Sequence, residues 1–290
     1  MKILFAADEQ PYSAYALKEV SRLALNTWAE VTILGVAPAA APEPETEPEQ
    51  PLLEALHHYR EVFLESAAAE GLAPYALGDY RYEWVPLRGG RWEEMLVVRG
   101  AKRDLKVRLR AGVPAQEILA EAQGEESDLI VLGCAKGGQC LWSGGAPVPQ
   151  RVVNDADCSV LLVKEEQPIT RIIACLDQSY ISQDSLEMIN QVATIHGAGL
   201  ELIGLSSEGG MKKDVYRRLI EIGDYYEDRQ IKVATRLTAV GEFENTVARE
   251  LKQDLLALWV GKKSLLDRFF PRDWVGRFVG KCPTSVLVMR

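Results

Sequence analysis

Short, dominantly apolar runs recur along the chain at Ile3–Ala7, Val31–Val36, Leu129–Leu132 and Val160–Val163. Apolar residues in succession, with little polar alternation, describe a strand covered on both faces, the habit of a parallel sheet. Between the first two runs, Ala14, Leu17, Val20, Leu23 and Ala24 recur at helical spacing from Pro11 to about Thr27. Strand, helix and strand within 36 residues make a βαβ opening with a right-handed crossover. A further helix is predicted from Leu52 to about Glu70. Two β-rich runs, Tyr80–Val85 and Trp92–Val98, flank Gly89-Gly90 and predict a hairpin. Leu105–Leu109 alternates as a strand, Ile118, Leu119 and Ala122 mark a short helix, and Val148–Asp155 marks another before the run at Cys158–Val163.

After the polar break Lys164–Pro168 the pattern begins again. Arg171–Asp177 repeats residues 2–8, with Asp177 in the place of Asp8; Leu200–Leu205 repeats the second strand, Leu237–Gly241 repeats Leu109–Val113, Leu255–Gly261 repeats the run into Gly133, and Thr284–Val288 repeats the final strand. The offset between matched positions is 169 at Asp8 and Asp177 but 128 at Gly133 and Gly261, so the first half carries 41 extra residues. The expected fold class is therefore α/β: two tandem five-stranded parallel-sheet domains, 1–165 and 169–290. Insertions near 38–51 and 75–103 fall only in the first. The segment 38–51 is rich in proline and glutamate and cannot supply a packed face.

Composition narrows the function classes. A net charge of −9 argues against a nucleic-acid partner, which selects a basic face. No apolar run approaches the roughly 20 residues that span a bilayer. Five cysteines, without a C-x-x-C pair, favour a reducing, cytoplasmic setting. Cys134 and Cys140 flank loop glycines and read as buried, inert thiols more readily than as redox-sensitive ones. Three histidines are too few and too scattered for a metal site; His57 and His58 read as surface residues on different sides of a helix.

Candidate chemistry concentrates after Leu129–Leu132. The segment Gly133–Gly145 holds five glycines with Lys136 and Ser143, just past a strand's carboxyl end, where open α/β sheets bind ligands. Glycine lets backbone N–H groups approach an anion, and a following helix adds its positive end. The alternative is a long connection to the next helix. Asp8 and Asp177, at strand ends, could accept bonds from a nucleoside, or cap the helix that follows. No G-x-G-x-x-G, phosphate-loop lysine motif or G-x-S-x-G elbow is present.

The ordered set Leu109–Leu119, Asp128–Gly133 and Cys158–Val163, with first-strand acids Asp8 and Asp177, resembles the universal stress protein family in a tandem, two-domain form. The resemblance implies a Rossmann-like domain related to adenine-nucleotide hydrolases, and a regulatory, stress-response role rather than turnover. ATP-binding members of that family carry G-x-x-G-x9-G-[ST] after the fourth strand. Here Gly133 matches, Lys136 and Ala146 stand where the second and third glycines would, and Pro147 replaces the hydroxyl residue. In the second half Gly261 is present, but Ser264, Arg272 and Asp273 occupy the other positions, and bulky residues between Leu265 and Phe270 suggest packing.

The expectation that follows is an adenine nucleotide, ATP or AMP, with Mg2+ alongside, in the first domain only. Its site would comprise Asp8, Val36, Gly112, Val113, Gly133, Lys136, Gly137, Gly138, Ser143, Gly144 and Gly145, with no catalytic residue and no metal held by the protein alone. A nucleotide-free protein-interaction module is the alternative, and a nucleotide hydrolase a weaker one. Members of the family usually dimerise through the last strand of the sheet, so the resemblance implies an intramolecular pseudo-dimer, with a homodimer left open.

Overall fold

The computed structural model describes residues 1–37, 51–69, 75, 82–96, 103–135, 142, 147–164, 168–176, 181–206, 213–251, 254–260, 266, 270, 271 and 273–290. They form two compact units, one running from Met1 to Val163 and the other from Lys164 to Arg290.

The first unit follows the order β1 (Lys2–Ala7), α1 (Pro11–Thr27), β2 (Glu30–Ala37), α2 (Pro51–Ala69), β3 (Tyr82–Leu87), β4 (Arg91–Leu96), β5 (Leu105–Ala111), α3 (Pro114–Gly124), β6 (Leu129–Gly133), α4 (Val148–Asp155) and β7 (Ser159–Val163). Its strands lie in the order β7-β6-β1-β2-β5-β4-β3. The five strands of the repeat pair parallel, and only β3 and β4 run antiparallel to their neighbours. The chain moves from β1 outward through β2 to β5, then returns to place β6 on the other side of β1. That reversal is the topological switch point of an open α/β sheet.

Helix α1 forms because Pro11 stands at its first position, where the missing N–H costs nothing, and because Ala16, Leu17, Val20, Leu23 and Ala24 make one buried stripe. Trp28, at φ 53°, ends it in the left-handed conformation and returns its N–H to the Ala24 carbonyl. The predicted hairpin is β3–β4. Leu87 pairs with Arg91 across Arg88-Gly89-Gly90, and both glycines take positive φ, 82° and 71°, which side chains with a Cβ resist. The hairpin covers the outer edge of β5 through Trp92↔Leu109, Glu93↔Arg108 and Glu94↔Val107. Tyr75 ties the same insertion to α1: its ring meets Phe63 edge-on at 4.9 Å, and its hydroxyl lies 2.8 Å from the Ala29 carbonyl and 3.1 Å from that of Ala24. The acidic segment 38–51 lies outside the described residues except for Pro51.

Alternation on β5 has a consequence for α3. Leu105, Val107 and Leu109 are buried on one face, and Lys106, Arg108 and Arg110 project from the other. A two-residue strand step rises about 6.7 Å and four helical residues rise about 6 Å, so the basic residues match acids spaced by four. Glu125, Glu121 and Glu117 meet them in turn: Lys106–Glu125 at 3.2 Å, Arg108–Glu125 at 2.7 Å, Arg108–Glu121, Arg110–Glu121 at 2.7 Å and Arg110–Glu117 at 2.6 Å. Glu121 is 1 % exposed. Burial would push the Glu125 carboxyl up, but its bonds from Arg108 and Lys106 outweigh that and hold it below its ordinary value.

The second unit follows the order β8 (Arg171–Leu176), α5 (Gln183–His196), β9 (Gly199–Ser206), α6 (Lys213–Glu227), β10 (Val233–Ala239), a 3-10 turn (Val240–Glu242), α7 (Phe243–Glu250), β11 (Leu255–Trp259), α8 (Trp274–Lys281) and β12 (Val286–Met289). Its strands are all parallel, in the order β10-β9-β8-β11-β12. The succession of elements matches the first unit once the β3–β4 hairpin is set aside. Ser182 caps α5 by accepting the Ser185 N–H, and Gly197 closes it. Lys164 belongs to this unit: it is buried, and its Nζ donates to the carbonyls of Val279, at 2.6 Å, and Cys282 at the carboxyl end of α8.

Candidate functional site

The sequence-predicted residues that the structure describes lie along the carboxyl ends of the strands in the first unit. Asp8 follows β1, Val36 lies in the last turn of β2, Gly112 and Val113 follow β5, and Gly133 ends β6. The register aligns these ends: Ala7 pairs with Gly35, Ala6 with Leu132 and Val36 with Arg110. The Gly112 N–H extends the β2–β5 ladder by donating to the Ala37 carbonyl at 3.0 Å. Val36 is buried and Val113 is exposed. Lys136, Gly137, Gly138, Ser143, Gly144 and Gly145 lie outside the described residues, as do Asp177 and Gly261.

At the switch point, between β1 and β6, the Asp8 carboxylate is 4 % exposed and bonded to its own helix. Its Oδ1 accepts the Gln10 N–H at 3.1 Å and the Ser13 hydroxyl at 2.8 Å; its Oδ2 accepts the Tyr12 hydroxyl at 2.5 Å. The Asp8 N–H donates to Ser13 Oγ at 3.2 Å, and the Tyr59 hydroxyl, reaching over from α2, donates to the Asp8 carbonyl at 2.9 Å. Asp8 is therefore not the cap of α1: Gln10 holds that position and makes no side-chain cap bond. Burial, then the bond to Asp8 and its charge, push the Tyr12 phenol above its ordinary range. Burial and the nearby Asp8 carboxylate push Tyr59 up to about 12. Both phenols are kept as proton donors, Tyr12 to the Asp8 carboxylate and Tyr59 to the Asp8 backbone carbonyl.

Gly133 meets the same group from the other side. A Cβ there would stand 2.5 Å from the Tyr12 carbonyl oxygen and 2.6 Å from a Tyr12 ring carbon. Glycine is needed because the first turn of α1 crosses the end of β6 at backbone contact. Sequence reading finds Asp8 and Gly133 but misses Tyr12, Ser13 and Tyr59. The first two were available as polar side chains directly behind Pro11. Tyr59 was not, because only the packing of α2 brings it 51 positions back to Asp8.

One further reading changes. Cys134, expected as an inert thiol, is disulfide-bonded, whereas Cys158, Cys175 and Cys282 are not. His57, expected as a surface histidine, keeps its side chain 36 % exposed and accepts a bond from Trp84 of the hairpin. In the second unit the bulky residues after β11 do pack: Phe270 stacks on Trp274 at 4.0 Å, Trp274 on Phe278 at 4.8 Å, and Leu266 is buried. A cavity of about 550 Å3 lies at the opposite, amino ends of β6 and β7, lined by Gln116, Leu119, Ile130, Asp155, Asp157 and Cys158 among others. None of the predicted site residues that the structure describes lines it. No helix among the described residues is long and apolar enough to cross a membrane.

Comparisons with known proteins agree with this architecture. The chain is similar in structure to a universal stress protein from Archaeoglobus fulgidus DSM 4304, at 16 % identity and a TM-score of 0.56, covering 100 % of this chain and 96 % of that one. A putative universal stress protein from Pseudomonas aeruginosa UCBPP-PA14 gives 16 % identity and a TM-score of 0.56, covering 99 % and 92 %. The cytoplasmic domain of a prokaryotic cation chloride cotransporter gives 10 % identity and a TM-score of 0.53, covering 99 % and 94 %. No curated protein matches by sequence. The family model described as the universal stress protein family matches residues 1–164, more than half of the chain, and the chain belongs to that family.

Proposed function

We propose that the chain is a stress-response protein that acts by regulatory binding rather than by turnover, and that its first unit works without an adenine nucleotide at the switch point. The observation that carries this reading is the state of Asp8. A carboxylate positioned to hold a nucleoside would keep acceptor capacity turned toward the ligand. Here Gln10, Tyr12 and Ser13 use both oxygens inside a 4 % exposed site. Displacing Tyr12 would leave a buried phenol without its acceptor, at a cost of about 1–3 kcal/mol that a nucleotide would have to recover.

The competing reading draws on the five glycines between Gly133 and Gly145. It places ATP or AMP, with Mg2+, against Asp8, Val36, Gly112, Val113 and Gly133, with Lys136–Gly138 and Ser143–Gly145 around the phosphates. Native mass spectrometry of the full chain, purified without added nucleotide and then titrated with ATP and Mg2+, separates the two. The expected spectrum is the bare chain, with no saturable adduct. One ATP per chain, lost in Asp8→Ala, would establish the nucleotide reading instead.

A further inference from the structure

His57 Nε2 stands between two groups that make opposite demands on it. The Trp84 indole N–H donates to it at 2.9 Å, and Glu94 Oε1 lies 3.1 Å away. To accept the indole bond the nitrogen must carry a lone pair, which it then also presents to the carboxylate. To donate to the carboxylate it must carry a proton, and it can no longer accept. Its surroundings sharpen the conflict. Glu94 is 4 % exposed; its Oε1 also accepts from Arg60 Nη1, and its Oε2 is buried with no hydrogen-bond partner among the described residues. Trp84 and Glu94 are directly opposed in the β3–β4 register, so both project from one face of the hairpin onto α2. The imidazole and indole rings lie 5.7 Å apart, and the His57 side chain is 36 % exposed, which gives solvent protons access.

We propose that His57 is a pH-sensitive latch between α2 and the β3–β4 hairpin: neutral, it holds the Trp84 indole, and protonated, it releases the indole and pairs with the buried Glu94 carboxylate. The proton comes from solvent, and the imidazolium joins Arg60 as a second cation on one acid. Other titratable groups on the elements around His57 are Glu54, His58, Tyr59, Glu61 and Glu65 on α2, Glu83 on β3, and Arg91 and Glu93 on β4. Of these, Glu61 pairs with Arg60 at 3.7 Å, and Glu93 projects from the opposite face to meet Arg108 at 3.3 Å. Histidine is the side chain whose ordinary charge change lies between about pH 5 and 8, which sets the range over which the exchange is sought. What it controls is how the strand pair covering the β5 edge is tied to the helix above it. The latch does not depend on whether the switch point takes a nucleotide.

Nuclear magnetic resonance titration of the full chain tests it. The indole N–H resonance of Trp84, assigned by its loss in Trp84→Phe, should move between pH 5 and 8 with the same midpoint as the His57 ring proton, assigned by its loss in His57→Gln. Trp84→Phe removes the bond that favours the neutral ring, so the His57 midpoint should rise. Glu94→Gln removes the charge that favours the protonated ring, so it should fall. Each shift should be about half a pH unit or more. An indole resonance that stays fixed while His57 titrates overturns the proposal, and so does a midpoint that fails to move in the stated direction in either variant. If Glu94→Gln does not fold, the wild-type coincidence and Trp84→Phe decide the matter.

Discussion

A methyl group placed on Gly133 would meet the Tyr12 carbonyl oxygen at 2.5 Å, well inside contact distance, and the atom it meets is backbone. Neither side can yield without moving the first turn of α1 off the end of β6. Gly133→Ala should therefore destabilise the first unit by about 1–3 kcal/mol, the usual cost of overpacking a closed site. The midpoint of urea unfolding, followed by the buried Trp92, reads the loss; a midpoint unchanged from wild type would show that α1 does not rest there. Glycine after a buried strand is legible in the sequence, and so is its need for close approach. What approaches it is not legible: spacing suits a phosphate as well as a peptide carbonyl, and only the docking of α1 chooses between them. Asp8 repeats the lesson. Its place at a strand end is readable, but the partners of its two oxygens depend on rotamers of Tyr12 and Ser13 that no pattern specifies.

Elements are more legible than sites because periodicity reports burial directly. The stripe in α1, the apolar run in β6 and the Gly-Gly turn between β3 and β4 each predict the element that forms. Pairings between elements escape that reading. The bases at Lys106, Arg108 and Arg110 and the acids at Glu117, Glu121 and Glu125 each fit their own element, and the match between the two spacings appears only when α3 lies across β5. Lys164 is a similar case. In the sequence it opens a polar break; in the structure its ammonium donates to the carbonyls of Val279, which also accepts the Cys282 N–H, and of Cys282 at the carboxyl end of α8. Burial pulls this lysine down from its ordinary 10.5 to about 8. The unfolded chain therefore binds the proton more strongly between those values. Its contribution to stability grows as pH rises from about 8 to 10.5 and is lost as pH falls back through about 8. Measured against Lys164→Met, which has no such group, the wild type should gain on the order of 3 kcal/mol across that interval, at about 1.4 kcal/mol per pH unit. Urea melts at several pH values supply the difference. A difference that is flat from pH 8 upward would show that the amine is not buried in charged form.

On the scale of the whole molecule, the two units carry one succession of elements but treat the outer end of the sheet differently. In the first, β5 is covered by a hairpin, so the exposed end passes to β3, a strand interrupted by Pro86, which cannot donate to a further partner. In the second, β10 is itself the end, and among the described residues it pairs with β9 alone. Its side chains are correspondingly wet: Ala234 and Thr235 are exposed, and Thr238 and the adjoining Val240 are among the few that are buried. The duplication is legible in the sequence because both copies bury the same strands. The unequal ends are legible as a 41-residue excess and a predicted hairpin within it, which says what was added and not which strand it covers. Opening a strand requires breaking its ladders and exposing its core, so protection should follow position in the sheet. Strands β1, β6 and β8, flanked on both sides and buried almost throughout, should hold their amide protons longest. Strand β10, paired on one side and half wet, should exchange orders of magnitude faster than β8 within the same unit. Strand β5 should resemble the central strands, because the hairpin closes its outer edge. Hydrogen-exchange mass spectrometry on the intact chain resolves these segments. If β5 exchanges as fast as β10, the hairpin does not protect the edge it lies on, and the insertion must be explained by something other than covering that strand.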